Sequence, residues 1–154
     1  MPIDTRDERD LVFYVEDHPM NVLLMQTVFE FRPELELFVA VDGETARTRV
    51  PPRRPVLLLL DLRLPDCHGQ DLLEELRQRP GWNRIPAIAV TADTEFLPSG
   101  TAFADVWHKP LRVPTLLARL DRVLVPRQPP GGSLRWPAPP GRVDEFTPGI
   151  ELRR

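Results

Sequence analysis

Lysine is almost missing from this chain. Nineteen of its twenty basic residues are arginine, and the single lysine is Lys109, within "VWHKPL". Cysteine is equally scarce: Cys67 stands alone, which excludes an internal disulfide and a cysteine-based zinc cluster. No apolar run reaches the roughly 20 residues that cross a bilayer, and the opening MPIDTRDERD has no signal-peptide core. A cytoplasmic location without a membrane partner is the expectation. Positive charge is not in excess either. Twenty basic against 23 acidic residues leave a formal charge of −3, so no direct nucleic-acid contact is expected.

Proline, by contrast, is abundant at 19 residues, and seven of them fall from Pro126 onward together with four glycines. The chain divides into a body at 8–125 and a Pro/Gly-rich tail at 126–154 without a domain of its own. Leu134, Trp136, Phe146 and Ile150 are the tail's apolar anchors, and a homodimer built through the tail is one expectation that follows.

Within the body, LVFYV at 11–15 reads as a strand that stops at Glu16-Asp17. A helix follows, capped by Asp17 or His18 with Pro19 in its first turn. Met20, Leu23, Leu24, Val28 and Phe31 recur there at helical spacing. Residues 36–41 form a second strand, and 43–49 a short helix closed by PPRRP. Residues 56–60, VLLLL, are apolar throughout, as in a strand covered on both faces of a parallel sheet; this one ends on Asp61. Past the loop RLPDCHG, Leu72, Leu73 and Leu76 mark a helix stopping near Pro80-Gly81. Strands at 85–90 and 106–108 end at Thr91 and Lys109. Leu116, Leu117, Leu120, Val123 and Leu124 give an amphipathic last helix.

Strands alternating with helices imply a parallel sheet with right-handed crossovers. Ligands of such sheets lie outside the carboxyl ends of the strands. Glu16, Asp17, Asp61, Thr91 and Lys109 all occupy those ends, so three carboxylates, a hydroxyl and the sole ammonium converge. Clustered carboxylates repel unless a cation or protons intervene, and an all-oxygen ligand set with few protein donors suits Mg²⁺. A carboxylate beside Mg²⁺ can attack a phosphoryl group to form an acyl phosphate. The ammonium and the hydroxyl would then bind the transferring oxygens.

With "VEDHPMN", "LLLLDLRLPDCHG", "AVTAD" and "WHKPL" in this order, residues 10–125 resemble the receiver domain of two-component response regulators, of the chemotaxis-regulator type. The resemblance implies an α/β, doubly wound (flavodoxin/CheY-like) five-stranded parallel sheet with helices on both faces. It implies that Asp61 is the phosphoacceptor, charged by a histidine kinase or phosphotransfer protein. Glu16, Asp17, Asp61 and the backbone carbonyl of Arg63 would hold Mg²⁺. Thr91 and Lys109 would grip the phosphoryl oxygens, Thr91 moving toward them to begin a switch, and Pro110 would follow a cis peptide.

The sequence also departs from that pattern. Thr91 and Lys109 are about one helical turn closer than in the family, and Pro98 and Gly100 interrupt the segment between them. A fourth helix that is shortened or missing is expected. Val106 stands where the family's rotating aromatic lies, and Trp107 points to the opposite strand face, so no aromatic switch is expected. Arg63 and Asp93, each two positions past a site residue, are expected to flank the site entrance, where an ion pair between them would gate access of water or donor. Cys67 and His68 are adjacent in a Pro/Gly loop and are set aside as a nucleophile pair. A stand-alone regulator, a relay intermediate and a module of a larger protein all fit. Two rival readings are a constitutive dimeric interaction module and a Mg²⁺-dependent phosphatase or phosphotransferase. The first has no need of the lone lysine, and the second lacks a lid.

Overall fold

The computed structural model describes residues 9–124. The tail at 126–154, its four anchors and the dimer contact expected from it lie outside the described residues. Five strands form one parallel sheet: β1 (Asp10–Val15), β2 (Leu35–Ala40), β3 (Leu57–Asp61), β4 (Ala87–Thr91) and β5 (Asp105–His108), in spatial order β2-β1-β3-β4-β5. The helices are α1 (Pro19–Glu30), α2 (Gly43–Thr48), α3 (Gly69–Leu76) and α4 (Val113–Val123).

Strand order decides where the helices go. The chain moves one way from β1 to β2 and the other way through β3, β4 and β5. With right-handed crossovers, α1 therefore lies on one face and α2 and α3 on the other. Leu11, Phe13, Val15, Leu58, Leu60, Ala87 and Ala89 form one core with Ala46 of α2 and Leu72, Leu73 and Leu76 of α3. The alternate side chains Val12, Tyr14, Leu57, Leu59, Ile88, Val90 and Trp107 are also buried, as are Met25 and Val28 of α1 and Leu116 and Leu120 of α4. A bidentate pair from Arg32 to Asp121, at 2.8 and 2.6 Å, ties the end of α1 to α4 and places both on this second face. β3 is buried along its whole length, as its unbroken apolar run predicts.

Element ends differ from expectation for identifiable reasons. β2 covers 35–40 rather than 36–41, because its pairing with β1 runs from Asp10↔Leu35 to Val15↔Ala40 and stops where β1 stops. α3 ends at Leu76, short of Pro80, whose ring cannot sit against the carbonyl four residues back. β4 starts at Ala87: Ile85 donates its N–H to Trp82 in the preceding turn, and Pro86 has none to give. His18, not Asp17, caps α1, its Nδ1 accepting the Met20 N–H at 3.2 Å.

The crossover from β4 to β5 contains no helix among the described residues. It is a chain of turns, with Thr101 N–H and hydroxyl both on the Pro98 carbonyl and Gly100 at φ 80°. Two rings do the covering that a helix would have done. Phe103 is buried, and Phe96 meets it edge-on at a centroid distance of 5.9 Å, both against the α2/α3-side core. Val106 packs into this core as well, while Trp107 faces α4 near Leu116 and Arg119.

If ring burial replaces the helix, Phe103→Ala should lower unfolding stability by about 3–5 kcal/mol in chemical denaturation. Leu97→Ala, at an exposed position of the same loop, should stay within about 0.5 kcal/mol of wild type.

Candidate functional site

Because all five strands are parallel, their carboxyl ends share one edge, and the order β1-β3-β4-β5 lines up four of them side by side. Glu16 and Asp17 follow β1, Asp61 ends β3, Thr91 ends β4 and Lys109 follows β5. Backbone bonds carry the pattern past the strands: Glu16 N–H donates to Ala40 and Lys109 N–H to Thr91, at 3.0 and 2.8 Å. The Lys109–Pro110 peptide is cis.

Lys109 is the hub. Its Nζ lies 3.0 Å from Asp61 Oδ2 and 3.0 Å from Glu16 Oε1, with Glu16 Oε2 at 3.3 Å. Glu16 is fully buried and also accepts from the Tyr14 hydroxyl at 3.1 Å and the His18 N–H at 3.2 Å. Asp61, 5% exposed, accepts the Arg63 N–H on Oδ1 at 3.1 Å. Asp17 is exposed, yet one carboxylate oxygen each from Glu16, Asp17 and Asp61 lie within 4.8 Å of one another. Thr91 is buried and accepts the Asp93 N–H on Oγ1 at 3.0 Å, which leaves its own proton available.

One ammonium faces three carboxylates, so negative charge is in surplus. Burial and the neighbouring Glu16 push the Asp61 carboxyl above the usual aspartate range, and the Lys109 contact only partly offsets them. Burial pulls the Lys109 ammonium down, but its bonds to Glu16 and Asp61 outweigh that and leave it above the ordinary lysine value. Tyr14 is held firmly protonated, first by burial and then by the charge of Glu16. An oxygen-only cluster with surplus negative charge fits a hard divalent cation.

The loop after β3 folds back beneath Asp61. Gly69 donates its N–H to the Leu62 carbonyl at 2.8 Å, and a side chain there would put Cβ 2.4 Å from the Asp61 carbonyl oxygen. Only glycine permits that approach. Asp66 accepts the Gly43 and Glu44 N–H groups, both at 2.8 Å, pinning this loop to the start of α2. Cys67 and His68 do not act together: His68 Nδ1 caps α3 through the Gln70 N–H, and burial raises the Cys67 thiol. Arg63 is exposed and Asp93 half-buried, and among the described residues no ion pair joins them; Asp93 Oδ1 instead accepts the Glu95 N–H.

Three contributors escaped the sequence reading: Tyr14, Gly69 and Asp66. Tyr14 carried a usable signal, since it sits two residues before Glu16 and a strand puts i and i+2 on one side. Asp66 and Gly69 act on backbone atoms that only the folded loop brings near.

Residues 12–121 match the response regulator receiver domain. The aerobic respiration control sensor protein ArcB of Escherichia coli K12 is 35% identical over 131 residues, covering 77% of this chain and 16% of that protein. The phosphate regulon transcriptional regulatory protein PhoB of Rhizobium meliloti is 36% identical over 114 residues, covering 71% and 50%. The polar-differentiation response regulator DivK of Brucella anthropi is 30% identical over 126 residues, covering 73% and 94%. The chain thus spans a small part of one relative, half of another and nearly all of a third. Among solved structures, the receiver domain of a Pseudomonas aeruginosa sensor histidine kinase, with magnesium in its active-site cleft, aligns at 24% identity and TM-score 0.63, over 74% of this chain and 96% of that one. The chemotaxis response regulator CheY4 of Vibrio cholerae aligns at 21% identity and TM-score 0.65, over 75% and 99%. Fold, site order and relatives agree: this chain belongs to the response regulator receiver domain family, the phosphoacceptor modules of two-component signalling.

Proposed function

We propose that Asp61 accepts a phosphoryl group from a histidine of a partner kinase or phosphotransfer protein in a Mg²⁺-dependent reaction, and that the product changes this domain's protein contacts. The observation that carries the proposal is Lys109 Nζ, 3.0 Å from both Asp61 Oδ2 and Glu16 Oε1. An ammonium between the acceptor and a second acid serves phosphoryl oxygens better than it serves stability. A cytoplasmic location is part of this reading.

Glu16, Asp17, Asp61 and the Arg63 carbonyl are the groups we assign to Mg²⁺, which when bound would neutralise charge on the phosphoryl oxygens. The Asp61 carboxylate forms the new oxygen–phosphorus bond as the donor's nitrogen–phosphorus bond breaks, and the electron pair leaves with the imidazole nitrogen. Lys109 keeps Glu16 and extends its remaining donor capacity to a phosphoryl oxygen. Thr91 donates the proton its present contact leaves unused, and giving up the Asp93 N–H couples the site to the β4–β5 crossover. Val106 and Trp107 occupy opposite cores, so the response does not run through a rotating aromatic. The ion-pair gate expected of Arg63 and Asp93 does not form, since Asp93 Oδ1 accepts the Glu95 N–H instead; we propose that the exposed Arg63, two residues past Asp61, meters access of water to the acyl phosphate without it.

Incubation with acetyl phosphate and Mg²⁺ should add one phosphoryl group by intact mass, and Asp61→Asn should abolish it. Equal labelling of both proteins would sink the proposal. Arg63→Ala should alter the lifetime of the phosphorylated form; an unchanged decay rate removes Arg63 from the gate.

The raised Asp61 pKa gives a second test. Ionised Asp61 costs the folded protein stability, because the unfolded side chain ionises near pH 4 with less difficulty. That cost starts as pH rises through about 4 and is complete above the raised folded value. Metal-free Asp61→Asn should therefore melt higher than wild type at neutral pH, the gap closing on acidification toward pH 4. Mg²⁺ at about ten times its dissociation constant should restore about 1.4 kcal/mol to wild type, and less to the variant.

A further inference from the structure

Glu16 and Asp61 are not equivalent acids. A carboxylate offers about four acceptor positions, and hydrogen bonds already engage both oxygens of Glu16. Oε1 accepts from the Tyr14 hydroxyl and has Lys109 Nζ in ion-pair contact at 3.0 Å, and Oε2 accepts from His18 N–H and Lys109. Asp61 accepts only Arg63 N–H and Lys109, one on each oxygen, and Asp17 is exposed. A cation arriving at this edge thus finds more open acceptor capacity on Asp17 and Asp61 than on Glu16.

Tyr14 is the one donor to Glu16 that comes neither from a backbone group nor from the reacting machinery. Its ring is fully buried on the α1/α4 face of β1, and the parity of the strand aims its hydroxyl at Glu16. If Glu16 turned away, that hydroxyl would be left in the core without an acceptor, a costly state for a buried polar group. We propose that Tyr14 is a positioning residue: its hydroxyl locks the Glu16 carboxylate against Lys109, so that Glu16 serves the ammonium first and offers the cation less than Asp17 and Asp61 do. The proposal rests on the function given above and deepens it. Removing the hydroxyl frees one lone pair of Glu16 and leaves its charge less compensated, which makes the site a stronger cation trap and a looser holder of Lys109.

Two measurements on the full chain test this. In Tyr14→Phe the dissociation constant for Mg²⁺ alone, by titration calorimetry, should fall roughly tenfold, the scale of one hydrogen bond to a charged group. In a Glu16→Gln background the same substitution should change it by less than about twofold, because the two act as a coupled pair. An equal effect in both backgrounds, or no tightening in the first, overturns the proposal. The second arm needs no metal. Lys109 is the sole lysine, so the side-chain ammonium spectrum of the protein holds one lysine signal. That signal should be sharp in metal-free wild type and broadened by faster exchange in Tyr14→Phe; an unchanged signal overturns the positioning role. Wild type that keeps the ammonium difference but binds no Mg²⁺ would overturn the function reading instead.

Discussion

The site depends on a single ammonium shared between two buried carboxylates. Without Lys109, Glu16 would be a fully buried acid with only a phenol and one N–H for compensation, and Asp61 would face it unshielded. Truncating one member of such a set is far costlier than the set is worth in stability, because it strands the others. The arrangement is therefore poorly explained as a device for stability. It makes sense as a charge trap left short of balance, ready for a divalent ion and a phosphoryl group. The elevated Asp61 pKa records that imbalance.

The sheet holds this trap together. Residues far apart in the chain meet because parallel strands deliver their ends to one edge and because β1 and β3, then β4 and β5, are neighbours. The cores on both faces are dense with leucine and aromatic side chains, which leaves the rim little freedom to spread. Gly69 adds a local constraint, since its missing side chain lets the following loop press against the backbone of Asp61.

One departure from the receiver pattern lies in the β4–β5 crossover. Where a helix would cover β4 and β5, Phe96 and Phe103 fold inward and Leu97 stays outside. The crossover is nonetheless wired to the site, because Thr91 Oγ1 holds the first turn through Asp93 N–H. A domain without the usual helix and without an aromatic at position 106 thus keeps a contact between Thr91 and the β4–β5 crossover that is made by backbone rather than by a ring.

Much of this was legible beforehand. Apolar strand runs that each end on a polar residue, the lone lysine before a proline, and the proline and glycine between Thr91 and Lys109 determined the sheet, the five site residues and the lost helix, because parallel topology leaves so few ways to arrange them. What only tertiary structure decided is how the charges are divided. Which donor reaches which carboxylate oxygen, that the Tyr14 hydroxyl reaches Glu16, and that Asp66 and Gly69 brace the loop under Asp61 all depend on distances of about 3 Å that the folded chain alone sets. Residue types specify which chemistry is present; only packing in three dimensions fixes lone pairs and protons to that tolerance.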